Sequence, residues 1–130
     1  MVRDLPREPL EITTRTVIKK FMSAWIGRDL EGAVALMADD AVFIATTGVE
    51  PGRSYRGIEA IRTVFASLLS PASTVSLRTG QVYIDGDAAI VSWTTVDSAS
   101  PQSKVTIKGV DILQLRDGRI VPKDSYRTAC

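Results

Sequence analysis

The sequence predicts an α+β domain, because helical patterns fill its first half and strand patterns fill its second. In the first half, apolar residues recur at helical spacing, as at Val17, Ile18, Phe21 and Trp25. Beyond Pro71, β-rich runs follow one another, and the last two flank an Asp-Gly pair of the kind that closes β-hairpins. Helices first and a run of antiparallel strands afterwards are typical of the α+β class.

Three helices are predicted from this spacing and from their boundary residues. Pro9 suits the first turn of the first helix, and Gly27 suits its C-terminal cap. Asp29 is predicted to cap a short second helix. That helix carries Leu30, Ala33, Val34 and Met37. The third helix is expected over residues 58–69, and residues 1–7 are expected to form a loose arm.

Five strands are predicted from β-rich runs that are bounded by turn residues. They cover residues 41–46, 75–84 and 88–97 and the two arms of a hairpin within 105–126. Residues 46–56 contain Gly48, Pro51 and Gly52, and are predicted to be a loop.

Composition excludes several classes of protein. The 130 residues suit one domain, and a content of 45% apolar and 24% charged residues is typical of a globular protein. The formal charge is +1 with acids and bases interspersed, so a nucleic-acid partner is not expected. No apolar run approaches the ~20 residues that span a bilayer. The first residues lack the apolar segment of a signal peptide, and a cytoplasmic location is therefore expected.

The chain has no histidine, and Cys130 is its single cysteine. An intrachain disulfide is therefore excluded. Histidine-based nucleophile triads, imidazole acid-base catalysis and the usual zinc sites are excluded as well. We expect neither a metal site nor a cofactor.

Asp111 is the candidate functional residue that the hairpin indicates. Side chains alternate along a strand, so one face of the first arm is apolar except for a glycine and a carboxylate. This face carries Val105, Ile107, Gly109, Asp111, Leu113 and Leu115. Burial of an unpaired carboxylate is costly, so Asp111 is expected to be paired, protonated or beside a cavity. The alternative is a structural carboxylate bonded to Lys123 or to the backbone.

The register of the hairpin decides what faces Asp111. A two-residue loop at Asp117-Gly118, in a type I′ turn, places Leu115 opposite Ile120 and Asp111 opposite Asp124. A three-residue loop with Gly118 in a G1 bulge places Asp111 opposite Lys123. A cation opposite a buried acid costs less than a second acid, so the three-residue loop is predicted. In that register, Lys123 and Ser125 point inward and Asp124 points outward.

Four segments resemble the SnoaL-like or nuclear-transport-factor-2-like superfamily, which includes ketosteroid isomerase and limonene epoxide hydrolase. They read FMSAWIGRDLEGAVALMADDAVF, YRGIEAIRTVF, GDAAIVSW and GVDILQLRDGRI. The resemblance covers nearly the whole chain and implies a single SnoaL-like domain over residues 1–130. It implies a cone-shaped α+β barrel, in which a curved, mainly antiparallel sheet wraps around three N-terminal helices. A conical cavity open at one end, and a homodimer packed through the sheet, are also implied.

The catalytic residues of ketosteroid isomerases are matched only in part. The position of the base falls on Ala45, and that of the oxyanion tyrosine falls on Phe21. The oxyanion aspartic acid is matched by Asp111. Steroid isomerisation by that mechanism is therefore not expected.

The catalytic residues of limonene epoxide hydrolases are also largely missing. Their first Asp aligns with Asp97, but their Arg falls on Thr95 and their second Asp on Ser125. The Tyr and Asn that hold the water fall on Phe43 and Ala45. These enzymes place in their cavity the positions that correspond to Lys123 and Ser125, which supports the predicted register. SnoaL-type cyclases require an acid near a polyketide, a role that Asp111 or Asp97 could fill.

The candidate site follows from these considerations. The catalytic candidates are Asp111, Asp97 and Lys123. The candidates for ligand binding are Phe21, Trp25, Phe43, Phe65, Trp93, Thr95, Leu113 and Ser125. For the aromatic residues, simple core packing is the alternative, and for Asp97 the alternative is the start of a turn at a strand end.

Two functions remain open at the level of sequence. The first is a cavity for a small hydrophobic molecule, with a cofactor-independent isomerase, cyclase or hydrolase activity. The second is a non-catalytic dimerisation or ligand-carrier module, in which Trp25, Phe43 and Phe65 fill the cone. A sizeable apolar pocket with few polar groups is expected only for the first.

Overall fold

The structure is a computed structural model that describes residues 7–46, 52–99 and 105–128. Helices come first and most of the strands follow, so the predicted α+β class is confirmed. The elements are α1 (Arg7–Ile26), α2 (Leu30–Ala35), β1 (Met37–Ile44), β2 (Ser54–Arg56), α3 (Ile58–Leu68), β3 (Val75–Asp85), β4 (Ala88–Asp97), β5 (Val105–Arg116) and β6 (Arg119–Arg127). Arg7 begins α1, while the rest of the predicted N-terminal arm and Cys130 lie outside the described residues.

The described strands form one mixed sheet in the order β2-β1-β6-β5-β4-β3. β1 and β6 run parallel, and the other neighbouring pairs are antiparallel. α1 contacts β3 and β4 at one end of the sheet, and α3 contacts β1 and β2 at the other. The helices therefore pack across the sheet from one edge to the other. The sheet that wraps around the helices is open, because β2 and β3 form two separate edges.

Two parts of the predicted secondary structure were wrong around β1. The strand begins at Met37, which was expected on the second helix, and residues 54–56 form β2 within the predicted loop. Phe43 pairs with Tyr55 in β2 and with Lys123 in β6. These pairings are distant in sequence and override the local helix and loop signals.

The N-terminal half of α1 is attached to the turn between β3 and β4. Thr14 Oγ1 donates to the Gly86 carbonyl at 2.8 Å, and the Gly86 N–H donates to Glu11 Oε2 at 2.8 Å. Farther along the helix, Phe21 is fully buried between the helices and the sheet. Near the C-terminal end of α1, the Trp25 ring lies 4.8 Å from Lys123 Nζ on β6.

The β5–β6 hairpin combines features of both predicted registers. Asp117 and Gly118 have φ of 53° and 78° and form a two-residue loop, so the predicted three-residue loop is wrong. Leu115 faces Ile120. The register then shifts by a β-bulge at Val121 and Pro122, where proline removes a ladder donor.

The bulge restores the predicted orientation of the side chains farther along β6. Lys123 and Ser125 are buried on the inner face, while Asp124 lies opposite Ile112 on the outer face. Asp111 faces Ser125, which neither register had proposed.

Candidate functional site

A cavity of about 490 Å³ lies between the helices and the inner face of the sheet. Aromatic side chains from α1, β1, β2 and β4 form much of its wall. They are Phe21, Trp25, Phe43, Tyr55 and Trp93. Ile26, Leu68 and Val75 also line the cavity and are 50%, 43% and 42% exposed, so the cavity reaches the surface at this end.

The buried end of the cavity carries a polar cluster of Asp111, Lys123 and Ser125, which are only 2%, 5% and 6% exposed. Asp111 Oδ1 accepts a hydrogen bond from Ser125 Oγ at 2.6 Å. Lys123 Nζ donates to Ser125 Oγ at 3.0 Å and lies 3.4 Å from Asp111 Oδ2. The prediction that Asp111 is buried is confirmed. Its carboxylate is paired and also lines the cavity.

Gly109 makes room for the remaining partner of Asp111. It lies opposite Trp93 on the neighbouring strand. A Cβ at this position would lie 2.4 Å from the Trp93 ring and 2.3 Å from the Tyr126 carbonyl oxygen. Because the glycine has no side chain, the indole lies across β5, and Trp93 Nε1 donates to Asp111 Oδ1 at 2.9 Å.

Two aromatic faces surround the ammonium group of Lys123. Nζ lies 4.8 Å from the centre of the Trp25 ring and 4.5 Å from that of Phe43. Attraction between the cation and the ring faces offsets part of the cost of its burial, and the Asp111 carboxylate offsets more. Among the described residues, Oδ1 of Asp111 accepts two hydrogen bonds, whereas Oδ2 has only the longer contact with Lys123.

Most of the predicted site residues lie together around this cavity. They are Phe21, Trp25, Phe43, Trp93, Thr95, Asp111, Lys123 and Ser125. Phe65 and Leu113 do not line it, and both are fully buried. Phe65 packs behind the wall with its ring 4.8 Å from that of Trp25 and 5.3 Å from that of Phe43. These rings pack in the wall rather than filling the cone.

The structure does not bring Asp97 into the site. Its Oδ1 accepts hydrogen bonds from Thr74 Oγ1 at 2.6 Å and from the Ala99 N–H at 2.9 Å. The Thr74 hydroxyl, and then the Ala99 N–H, lower the pKa of this carboxyl. Asp97 therefore begins a turn at the end of β4, and it is not among the residues that line the cavity.

Sequence reasoning missed Tyr55, Arg28 and Arg127, which also line the cavity. Tyr55 lies on β2, which was not predicted. Arg127 follows Lys123 and Ser125 at the period-two spacing of one strand face, and that spacing could have identified it. No local signal pointed to Arg28, because its position depends on contacts with residues 70 and 75.

None of the described helices is long and apolar enough to cross a membrane. Over residues 7–46, 52–99 and 105–128, no three Cys, Asp or Glu side chains come together as metal ligands would.

The fold and the site define an α+β protein in which an open mixed sheet and three helices enclose an apolar cavity with a buried polar cluster. The SnoaL-like domain family matches residues 18–122, and the chain belongs to this family. The expected membership of the SnoaL-like, nuclear-transport-factor-2-like superfamily is thus confirmed. No curated protein sequence matches the chain.

Solved structures share the fold at low sequence identity. An NTF2-like protein of unknown function from Mesorhizobium loti superposes with a TM-score of 0.82 at 18% identity, over 92% of this chain and 93% of that one. An LEH-like epoxide hydrolase from M. tuberculosis has a TM-score of 0.74 at 19% identity, over 91% and 84%. TerC co-crystallized with polyporic acid has a TM-score of 0.74 at 18% identity, over 89% and 92%.

Proposed function

We propose that the protein binds a small, mainly apolar molecule in the cavity, with an oxygen of that molecule held by the polar cluster. The observation that carries this proposal is the buried Lys123–Asp111 pair in the wall of a cavity of about 490 Å³. Cavities of roughly 300–1,000 Å³ with apolar walls and a few polar groups are typical ligand sites. The fold shared with TerC, which was crystallized with polyporic acid, supports the same conclusion.

Lys123 is the group that we expect to bind the oxygen of the ligand. An ammonium group has three N–H donors, and among the described residues one of them is used in a hydrogen bond to Ser125. A carbonyl or hydroxyl oxygen entering the cavity would accept a further one. The other contacts of the ammonium group, with the Trp25 and Phe43 rings and with the more distant Asp111 Oδ2, are weaker than a hydrogen bond to a nearby oxygen. An oxygenated ligand therefore gains affinity over a hydrocarbon.

Thermal unfolding with a panel of matched compounds tests the proposal. Each panel pair should have the same carbon skeleton with and without a carbonyl or hydroxyl group. A ligand at ~100 times its dissociation constant adds ~2.7 kcal/mol to the free energy of unfolding. In the Asp111→Asn, Lys123→Met double variant, the oxygenated compound should lose its advantage over the hydrocarbon. Lys108→Met, on the outer face, is the matched control. A panel in which no compound raises the melting temperature contradicts the proposal.

A second candidate function is cofactor-independent proton transfer on the bound molecule, as in an isomerase, cyclase or hydrolase. It is favoured by the distance of 3.4 Å between Asp111 Oδ2 and Lys123 Nζ. A carboxylate oxygen in that position would accept a proton from carbon while the ammonium group stabilises the developing oxyanion. Ketones from the panel should then exchange their α-protons for deuterium, as read by NMR. Asp111→Asn should abolish this exchange, whereas Asp97→Asn should not.

We also propose that two copies of the chain pair through the outer face of the sheet. Tyr83, Ile90 and Ile112 are opposite one another on β3, β4 and β5. All three are exposed, at 60%, 42% and 41%. A contiguous apolar row on an exposed sheet face is a typical contact surface.

A further inference from the structure

We infer that the ligand is an anion, a lipophilic carboxylate whose carboxylate group lies at the cavity mouth against Arg28 and Arg127. This rests on the proposed function and specifies the class of molecule. It assigns to the mouth a second polar site, separate from the polar cluster at the buried end.

The charges around the cavity are unequal. In the part of the chain that the structure describes, the cavity is lined by three cationic side chains, Arg28, Lys123 and Arg127, and by one acidic side chain, Asp111. Asp111 is the counter-ion of Lys123. The described carboxylates form no ion pair with either arginine. Within the described ranges, these two positive charges therefore have no acidic partner at the mouth of the cavity, and its low-polarity walls strengthen their field.

Arg28 is held in place before any ligand binds. Its φ of 55° is in the left-handed region, which favours glycine over residues with a side chain. Its guanidinium group donates to the Ser70 carbonyl at 2.5 Å and to the Val75 carbonyl at 2.8 Å. Among the described residues, two of its five N–H donors are thus used to fix the group, which leaves the others for a carboxylate.

Arg127 reaches the mouth along β6. It follows Lys123 and Ser125 on the same strand face, and it lies opposite Gly109, which has no side chain. At ~3.3 Å per residue, its Cα lies roughly 13 Å from that of Lys123. A molecule with an oxygen at one end and a carboxylate at the other could therefore reach both positions from within the cavity.

Isothermal titration with 1-naphthaleneacetic acid and its uncharged methyl ester tests the inference, because the two share one apolar body. The acid should bind about two- to fivefold more tightly than the ester in low salt, the range expected for a partly exposed ion pair. This advantage should shrink as sodium chloride is added. Arg127→Gln and Arg28→Gln should each weaken binding of the acid and leave that of the ester unchanged. Arg119→Gln, at an exposed arginine that does not line the cavity, should change neither.

The outcomes separate this inference from the proposed function. If the ester binds as tightly as the acid, or if Arg119→Gln weakens the acid as much as Arg127→Gln does, the inference is wrong and the cavity still binds ligands. If neither compound binds and the wider panel also fails, both are wrong. Because Arg28→Gln removes hydrogen bonds to the backbone, melting temperatures accompany the titrations, and Arg127→Gln decides the result if the Arg28 variant unfolds.

Discussion

Asp111 shows how far single residues could be predicted from the sequence. Its place on an alternating apolar face predicted burial, and the cost of an isolated charge predicted a partner or a cavity. Both are present. The identity of the partners could not be predicted, because the Trp93 hydrogen bond depends on Gly109 and the Ser125 hydrogen bond depends on a bulge.

The buried ion pair leads to a prediction about stability. Asp111→Asn would leave the Lys123 ammonium without its counter-ion and direct an amide donor towards it, so a loss of about 3–5 kcal/mol in the free energy of unfolding is expected. Lys123→Met should cost a similar amount. The double variant should lose much less than the sum of the two, because neither charge is then left unpaired.

Urea unfolding of the wild type, both single variants and the double variant measures this coupling. Ser125→Ala, which removes a hydrogen-bond partner but no charge, is the control for a general loss of packing. Strictly additive losses would show that the two charges do not stabilise each other.

At the scale of elements, the final hairpin separates what local sequence predicts from what it does not. The Asp-Gly pair predicted a turn, and a turn is found there with both residues at positive φ. The bulge at Val121 and Pro122 had no local signal beyond the proline. Because of this bulge, a two-residue loop is followed by the side-chain directions that were expected for a three-residue loop. The inward position of Lys123 was predicted, but for a loop that does not exist.

The hydrogen bonds of Asp97, at the end of β4, lead to a prediction about pH. The Thr74 hydroxyl and the Ala99 N–H lower the pKa of Asp97. A carboxyl with a lowered folded-state pKa stabilises the fold above its unfolded pKa of ~3.9, and this stabilisation is lost as the pH falls through the folded value. Asp97→Ala should therefore destabilise the protein at neutral pH, and the difference from wild type should shrink below about pH 4.

Urea unfolding between neutral and acidic pH follows that difference. Thr74→Val removes the main hydrogen-bond donor and should reduce the same pH-dependent contribution. A difference between Asp97→Ala and wild type that stays constant across the range would contradict this explanation.

At the scale of the whole molecule, the resemblance of four segments to a known superfamily predicted the layers of the fold better than local patterns did. It could not predict that Phe65 supports the cavity wall from behind while Phe21 lines it, because both lie on the apolar faces of their helices. The short β2 and its Tyr55 exist only through pairing with β1.

Assembly leads to a prediction at the same scale. Ile90 is at the centre of the apolar row, between Tyr83 and Ile112, so Ile90→Lys should place a charge in the middle of the proposed dimer contact. Sedimentation velocity should show a dimer for the wild type and a monomer for this variant. Ala66→Lys, at an exposed position of α3, should remain dimeric. A monomeric wild type at micromolar concentration would rule out the proposed pairing.

The two tryptophans of the chain, Trp25 and Trp93, both line the cavity. One ring faces the Lys123 ammonium, and the other donates its N–H to the Asp111 carboxylate. All intrinsic tryptophan emission therefore originates at the site. A molecule that enters the cavity and disturbs either contact should change the intensity or wavelength of that emission. Ligand binding can therefore be followed by the intrinsic fluorescence of the unlabelled protein.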